Sequence, residues 1–222
     1  MTPAFSLLTN AEWRLMAEWE ATPHRDGATG EPAIAVLQAF IEGCGLRRVV
    51  ELGRNEGYGT LLLGFMLRRL GVSRDLISFD IDPRLTSRAQ AWVTRAGLDE
   101  YVRLELRDSR SPESTMVARE YLDGPPQIVF IDTSHEYAQT LAELALWYDT
   151  LAPGGLILLH DSSALAQQYD TTGKGGVRSA LQEWSAAVHV PFVNLNGDLT
   201  EWGMGVYPDG NGLAIIAKPV AA

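Results

Sequence analysis

The sequence predicts an α/β protein built on a doubly wound, mostly parallel seven-stranded sheet that closes with an antiparallel hairpin. Three observations carry this expectation. Five short runs, "RRVVEL" (47–52), "LISFDI" (76–81), "VRLEL" (102–106), "QIVFI" (127–131) and "GLILLH" (155–160), have the near-continuous apolarity of strands covered on both faces. The segments between them carry a helical period, and alternating strand and helix with right-handed crossovers gives a parallel sheet with helices on both sides. After residue 190 the rhythm changes to "PFVNLN", "EWGMGVYPDGNG" and "LAIIAKP", read as strands joined by Gly- and Asp-rich turns.

The elements justify themselves in chain order. "TNAEWRLMAEWE" reads as a helix opened by a capping box from Thr9 to Glu12. The linker "ATPHRDGATG" separates it from a second helix, "EPAIAVLQAFIEG", so residues 1–46 form a helical extension before a core of 47–222 within one domain. In "DPRLTSRAQAWVTRAG", Asp82 is the N-cap, Pro83 the first helical residue and Gly97 the C-cap, with Leu85, Ala89, Trp92, Val93 and Ala96 on one face. Tyr137, Leu141, Leu144, Tyr148 and Leu151 make a second face that stops at Pro153-Gly154-Gly155, and Val177, Leu181, Trp184 and Val188 make a third.

Charge narrows the function. A net charge of −10, with no basic block longer than "LRR", works against nucleic acid or an anionic membrane as partner. Cys44 is the only cysteine, which leaves no disulfide framework or thiolate metal cluster. The start "MTPAFSLLTNAEW" lacks a positive n-region and a long apolar stretch, so the expectation is a cytoplasmic protein acting on a small molecule, with a homo-oligomer left open.

The stretch "VVELGRNEGYGT" (49–60) ends an apolar strand in Glu51 and follows it with glycines at 53, 57 and 59. A dinucleotide fingerprint starting at Gly53 needs glycine at 55 and 58, where this chain has Asn55 and Tyr58. An acid at the strand end also suits a cationic ligand better than a pyrophosphate. Taken with "ISFDIDP", "VFIDTSHEY" and "GGLILLHD", in that order at successive strand ends, the chain resembles the class I S-adenosylmethionine-dependent methyltransferases over roughly residues 30–165. Within them it is similar to small-molecule O-methyltransferases of the catechol, macrolide-sugar and cephalosporin-pathway types, whose fold is Rossmann-like.

The resemblance implies S-adenosyl-L-methionine as cofactor. It implies Glu51, Gly53, Asn55, Gly57, Tyr58, Asp80, Ile81, Asp108, Ser109 and Asp132 as cofactor-binding residues. Gly53 and Gly57 would let the backbone approach the methionine moiety, Asp80 would accept both ribose hydroxyls, and Asp108 and Ser109 fall in the adenine-contact region. It further implies Asp132 and Asp161 as ligands of Mg²⁺ (or Mn²⁺), completed by His160 or Ser162, and His135 as general base for a hydroxyl acceptor such as a sugar, phenol or natural-product intermediate. "HDSS" departs from the relatives by offering one carboxylate and a serine, so a metal-free site worked by His135 with Asp132 or Asp161 stays open, as does a softer ion on the imidazole. An NAD(P)-dependent oxidoreductase and a non-catalytic S-adenosylmethionine-binding protein are the competing classes. The long segment "SSALAQQYDTTGKGG" (162–176) is expected to form a lid or substrate loop, Trp202 and Met204 to line an acceptor pocket or pack in the hairpin, and Arg54 to pair with a substrate acid. His24 and His189 are read as incidental.

Overall fold

The computed structural model describes residues 8–23, 31–71, 73–201 and 207–220. Seven strands form one sheet in the order β3-β2-β1-β4-β5-β7-β6. They are β1 (Val49–Leu52), β2 (Leu76–Asp80), β3 (Val102–Leu106), β4 (Ile128–Ile131), β5 (Leu156–His160), β6 (Phe192–Leu195) and β7 (Leu213–Ala217). The first five pair in parallel, while β7 runs antiparallel to both β5 and β6. Strand order therefore reverses between β1 and β4, and the crevice outside the carboxyl ends of those strands is where an open α/β sheet binds ligands.

Alternate strand residues feed two cores. Val49, Leu76, Val102, Ile128 and Leu156 meet helices α1 (Asn10–Glu20), α2 (Glu31–Gln38), α3 (Tyr58–Arg69) and α4 (Pro83–Arg95) on one face. Val50, Ile77, Val129 and Ile157 meet α5 (Pro112–Tyr121), α6 (Tyr137–Thr150) and α7 (Gly176–Val188) on the other. Period-2 alternation of fully apolar strands is what lets both faces be covered.

Local signals hold where short-range chemistry decides. Thr9 and Glu12 make the reciprocal capping box of α1, and Asp82 caps α4 through the main-chain N–H groups of Arg84 and Leu85. Ala96 is the C-cap of α4, and the left-handed residue that follows it is Gly97. Other expectations shift. The second N-terminal helix ends in a π-helical turn, Ala39–Gly43. The buried face of α6 is Thr140, Glu143, Leu144 and Trp147, rotated from the expected apolar stripe because a buried carboxylate occupies it. On α7, Val188 is 44% exposed. Residues 207–212 form turns rather than a strand, and Trp202, Met204 and His24 lie outside the described residues. Among the described residues no helix is long and apolar enough to cross a membrane.

Candidate active site

The glycine loop after β1 is shaped first by the protein's own packing. A Cβ on Gly53, whose φ is +82°, would lie 2.0 Å from the Asp132 carbonyl oxygen, so this glycine lets the β1 and β4 loops meet. A Cβ on Gly57 would meet the Ala89 Cβ at 3.0 Å, so that glycine lets α3 start against α4. The close approaches a Cβ would make at both positions are to protein atoms.

Glu51 is fully buried beneath this loop. Thr60 Oγ1 donates to its Oε2 at 2.5 Å, while Oε1 accepts no hydrogen bond of good geometry. Burial pushes the Glu51 carboxyl up to about 7, against the hydroxyls of Ser78 and Thr60 and the Arg54 charge. Arg54 does not reach for a ligand. Its guanidinium is buried, donating from Nη1 to the carbonyls of Ser78 (2.8 Å) and Glu105 (3.1 Å) and from Nη2 to Thr86, so it ties the ends of β2, β3 and α4 together. Tyr58 also turns away. Its ring packs on Trp19 at 5.0 Å and its hydroxyl reaches Glu20 and Glu31 of the N-terminal helices.

A crevice of about 620 Å³ opens over the strand ends. Gly53, Asn55, Asp80, Ile81, Asp108, Ser109, Asp132 and His135 line it; Glu51, Gly57 and Tyr58 do not. Asp80 sits at its centre of chemistry, with Oδ2 accepting from the Asn55 N–H (3.1 Å) and Oδ1 from the Asp82 N–H (2.9 Å). Each oxygen keeps lone-pair capacity for a ligand. Asp108 is held by Arg110 through a two-pronged pair, Oδ1 to Nε at 3.0 Å and Oδ2 to Nη2 at 2.7 Å, which holds its pKa below the ordinary carboxylate range.

At the β4 and β5 ends the structure gathers a second constellation. Ligating atoms of Asp132, His135 and Asp161 all lie within 4.8 Å of one another, an arrangement able to hold a metal ion. His135 Nε2 is 3.3 Å from Asp132 Oδ1 and 3.0 Å from Asp161 Oδ2. His160 is buried behind them, Nδ1 at 3.0 Å from Asp161 and Nε2 at 2.7 Å from Asp209 Oδ2. Ser162 stands apart: its hydroxyl donates to Asn194 Oδ1 at 2.7 Å. Asn55 (φ 51°), His135 (φ 62°) and Asp161 (φ 56°) all adopt the left-handed backbone that non-glycine residues rarely use, and such residues concentrate at functional sites. The start of α7 helps hold His135, because a Cβ on Gly176 would lie 2.9 Å from the His135 carbonyl oxygen. Tyr169, carried by the 162–176 segment, sets its ring 5.9 Å from that of His135.

Electrostatics follows from this packing. Burial disfavours charge on His135, yet the hydrogen bonds to Asp132 and Asp161 prevail and push it up to about 10. Burial likewise opposes charge on His160, and Asp132, Asp161 and Asp209 raise it well above its ordinary value. Burial alone would raise Asp132 and Asp161, but the two imidazoles hold both low. The signs give a pH dependence for the metal-free, ligand-free protein. The raised histidines stabilise the fold fully below their unfolded value of 6.5, and His135 loses that contribution as pH climbs through about 10. Glu51 contributes fully below 4.5 and loses its share as pH climbs through about 7. The depressed aspartates contribute above 3.8 and lose their share only as pH falls through their folded values. Urea midpoints are therefore expected to fall steadily from about pH 5 to about pH 9; a midpoint rising over that range would contradict the cluster.

Asp209, Gln139, Glu143 and Tyr169 belong to none of the sequence motifs. Asp209 lies in a turn 49 positions from His160, and no local pattern joins them. Glu143 and Gln139 carry a faint signal, a polar pair one helical turn apart on a helix that packs against the sheet.

Residues 50–162, just over half of the chain, match the family model described as a methyltransferase domain. The chain belongs to this methyltransferase family. The methyltransferase is similar in fold to the O-methyltransferase from Bacillus cereus in complex with S-adenosylhomocysteine, with a TM-score of 0.70, 16% identity, and 96% of this chain and 93% of that one covered. It is also similar to a Podospora anserina methyltransferase bound to S-adenosylhomocysteine, with a TM-score of 0.68, 15% identity and coverage of 94% and 88%. A third likeness is the O-methyltransferase TomG from Streptomyces achromogenes, involved in tomaymycin synthesis and bound to S-adenosylmethionine, with a TM-score of 0.63, 16% identity and coverage of 97% and 93%. Among curated proteins no sequence matches the methyltransferase.

Proposed function

We propose that the protein transfers a methyl group from S-adenosyl-L-methionine to a hydroxyl of a small molecule. The observation that carries this reading is one crevice lined by Asp80 from the β2 end and by Asp132 and His135 from the β4 end, with Asp161, outside that lining, meeting His135 from the β5 end. The donor supplies an electrophilic methyl on a sulfonium. Asp80, with lone pairs left on both oxygens, suits a ribose diol. Family membership and SAH- or SAM-bound structures of similar fold support the same donor.

The acceptor end requires a proton to leave a hydroxyl. His135 held between two carboxylates keeps its own proton at neutral pH, so it serves as a base only where another cation takes over the charge of Asp132 and Asp161. Those two carboxylates would fit Mg²⁺ or Mn²⁺ and leave His135 free to act as base; a Mn²⁺ that also took His135 would make the imidazole a ligand in place of a base. Such an ion would also lower the pKa of a coordinated hydroxyl. Tyr169 beside His135 forms a wall against which an acceptor ring or sugar face can rest.

Calorimetric titration with S-adenosylhomocysteine tests the donor, with NAD⁺ as control because Arg84, Arg107 and Arg110 also line the crevice. Micromolar binding of the first alone supports the proposal; binding of NAD⁺ alone overturns it. Asp80→Ala is expected to weaken that binding by roughly 30- to 1000-fold, from the loss of about 2–4 kcal/mol of charge-assisted hydrogen bonds.

A further inference from the structure

Beside the crevice lies a buried polar network that the methyl-transfer chemistry does not use. Glu143 of α6 is completely buried, yet its carboxylate accepts from three side chains. Oε1 accepts from the Ser109 hydroxyl and from Gln139 Nε2 at 2.6 Å; Oε2 accepts from Thr133 Oγ1 at 2.9 Å. Gln139 Nε2 also lies 3.2 Å from Ser109 Oγ. Ser109 is held at its other end by Trp147, whose Nε1 donates to the Ser109 carbonyl at 2.8 Å. All three side chains that converge on Glu143 line the crevice, while Glu143 itself does not. A buried carboxylate is costly, and a network satisfied this fully specifies one arrangement of its members.

The arrangement sets the amide of Gln139. Burial raises the Glu143 carboxyl, against the hydrogen bonds from Ser109, Gln139 and Thr133; ionised, it offers only acceptors, and with the Ser109 hydroxyl proton given to it the amide nitrogen faces both Glu143 and Ser109. The carbonyl oxygen, on the opposite side of a planar amide, makes no hydrogen bond within the described residues. It is the atom left for a ligand. Ile81, 72% exposed, adds an apolar face at the β2 end of the same crevice. The neighbouring carboxylate of Asp108 is already committed to Arg110.

We infer that Gln139, locked by Glu143, is a specificity residue that reads the 6-amino edge of the donor's purine, with its Oε1 accepting from the exocyclic amine. Glu143 acts through Gln139 and is a positioning residue. The inference rests on the proposed donor and deepens it: the crevice selects adenosyl over 6-oxopurine nucleosides. A carbonyl oxygen facing a 6-oxo group loses a hydrogen bond and sets two acceptors against each other, and sites built on such a bond reject the analogue lacking it.

The test compares S-adenosylhomocysteine with S-inosylhomocysteine, in which oxygen replaces the 6-amino group, by calorimetry on the wild-type protein, Gln139→Leu and Glu143→Gln. The wild type is expected to prefer the adenosyl ligand by about 10- to 100-fold. Gln139→Leu, at a half-buried position, should fold normally and bring the ratio within about threefold of unity, mainly by weakening the adenosyl ligand. Glu143→Gln frees the amide to turn, and should lower the same ratio, which a purely structural defect would leave unchanged by weakening both ligands alike. Equal wild-type affinities, or a preference that survives in Gln139→Leu, would overturn the inference. Failure of the wild type to bind S-adenosylhomocysteine at all would instead strike the donor assignment.

Discussion

Gly53→Ala is expected to lose on the order of 4 kcal/mol or more of folding stability, enough to leave little native protein from a domain of ordinary stability. The new Cβ would stand 2.0 Å from the Asp132 carbonyl oxygen, 2.7 Å from its carbonyl carbon and 2.9 Å from the Thr133 Cα, all backbone atoms. No rotamer relieves such a clash, and the left-handed φ of +82° adds its own cost for a residue with a side chain. The strain falls where β1 and β4 deliver the glycine loop and Asp132 to the same crevice, so a partly folded variant should also lose ligand binding. Gly43→Ala is the control, since nothing lies within 4 Å of its added Cβ and its backbone is not left-handed. Urea denaturation followed by circular dichroism reads the result. A Gly53→Ala midpoint equal to that of Gly43→Ala would mean that the two loops lie farther apart than the structure has them.

The second large effect concerns turnover. Asp161→Asn should lower kcat by about 10²- to 10⁴-fold while leaving the S-adenosylhomocysteine affinity within about threefold, because Asp161 does not line the crevice proposed to hold the donor. Asparagine tolerates the left-handed backbone of this position (φ 56°), so the substitution removes charge without forcing the chain to move. What it removes is one of the two carboxylates that meet His135 and one of the anions that hold His160. On the proposed mechanism the metal ion and the oriented base would lose support together, and excess Mn²⁺ should restore part of the rate if the metal is the chief loss. Full activity of Asp161→Asn across hydroxylated acceptors would remove the constellation from the mechanism. A large loss of cofactor affinity would place Asp161 inside the donor site instead.

These two positions also separate what the chain declares locally from what it does not. The β1 motif with its glycines, Asp80 after β2, and the Asp and His residues after β4 and β5 are visible in one dimension because each sits at the end of an apolar run. Strand ends are where a parallel sheet must present its chemistry. The capping box at Thr9 and the Asp82 cap of α4 are likewise local, since the bonds involved span three residues or fewer. Arg54 was legible as unusual but not as structural: its partners on Ser78 and Glu105 lie 24 and 51 positions away, and only the sheet brings them to it.

The sequence by itself determined the fold class, the order of the strands' motifs and the family, because alternating apolar periods admit few topologies and ordered motifs at strand ends admit fewer. Tertiary structure alone decided which residues face the crevice and which state their charges take. It turned Tyr58 toward the N-terminal helices and Ser162 toward Asn194. It brought Asp209 onto His160 and gathered Ser109, Thr133 and Gln139 around Glu143. It also put His135 between two carboxylates, which makes an imidazole expected to act as a base hold its proton instead. The physical reason is the same in each case: burial makes electrostatic partners decisive, and the partners come from strands and loops that share no sequence neighbourhood.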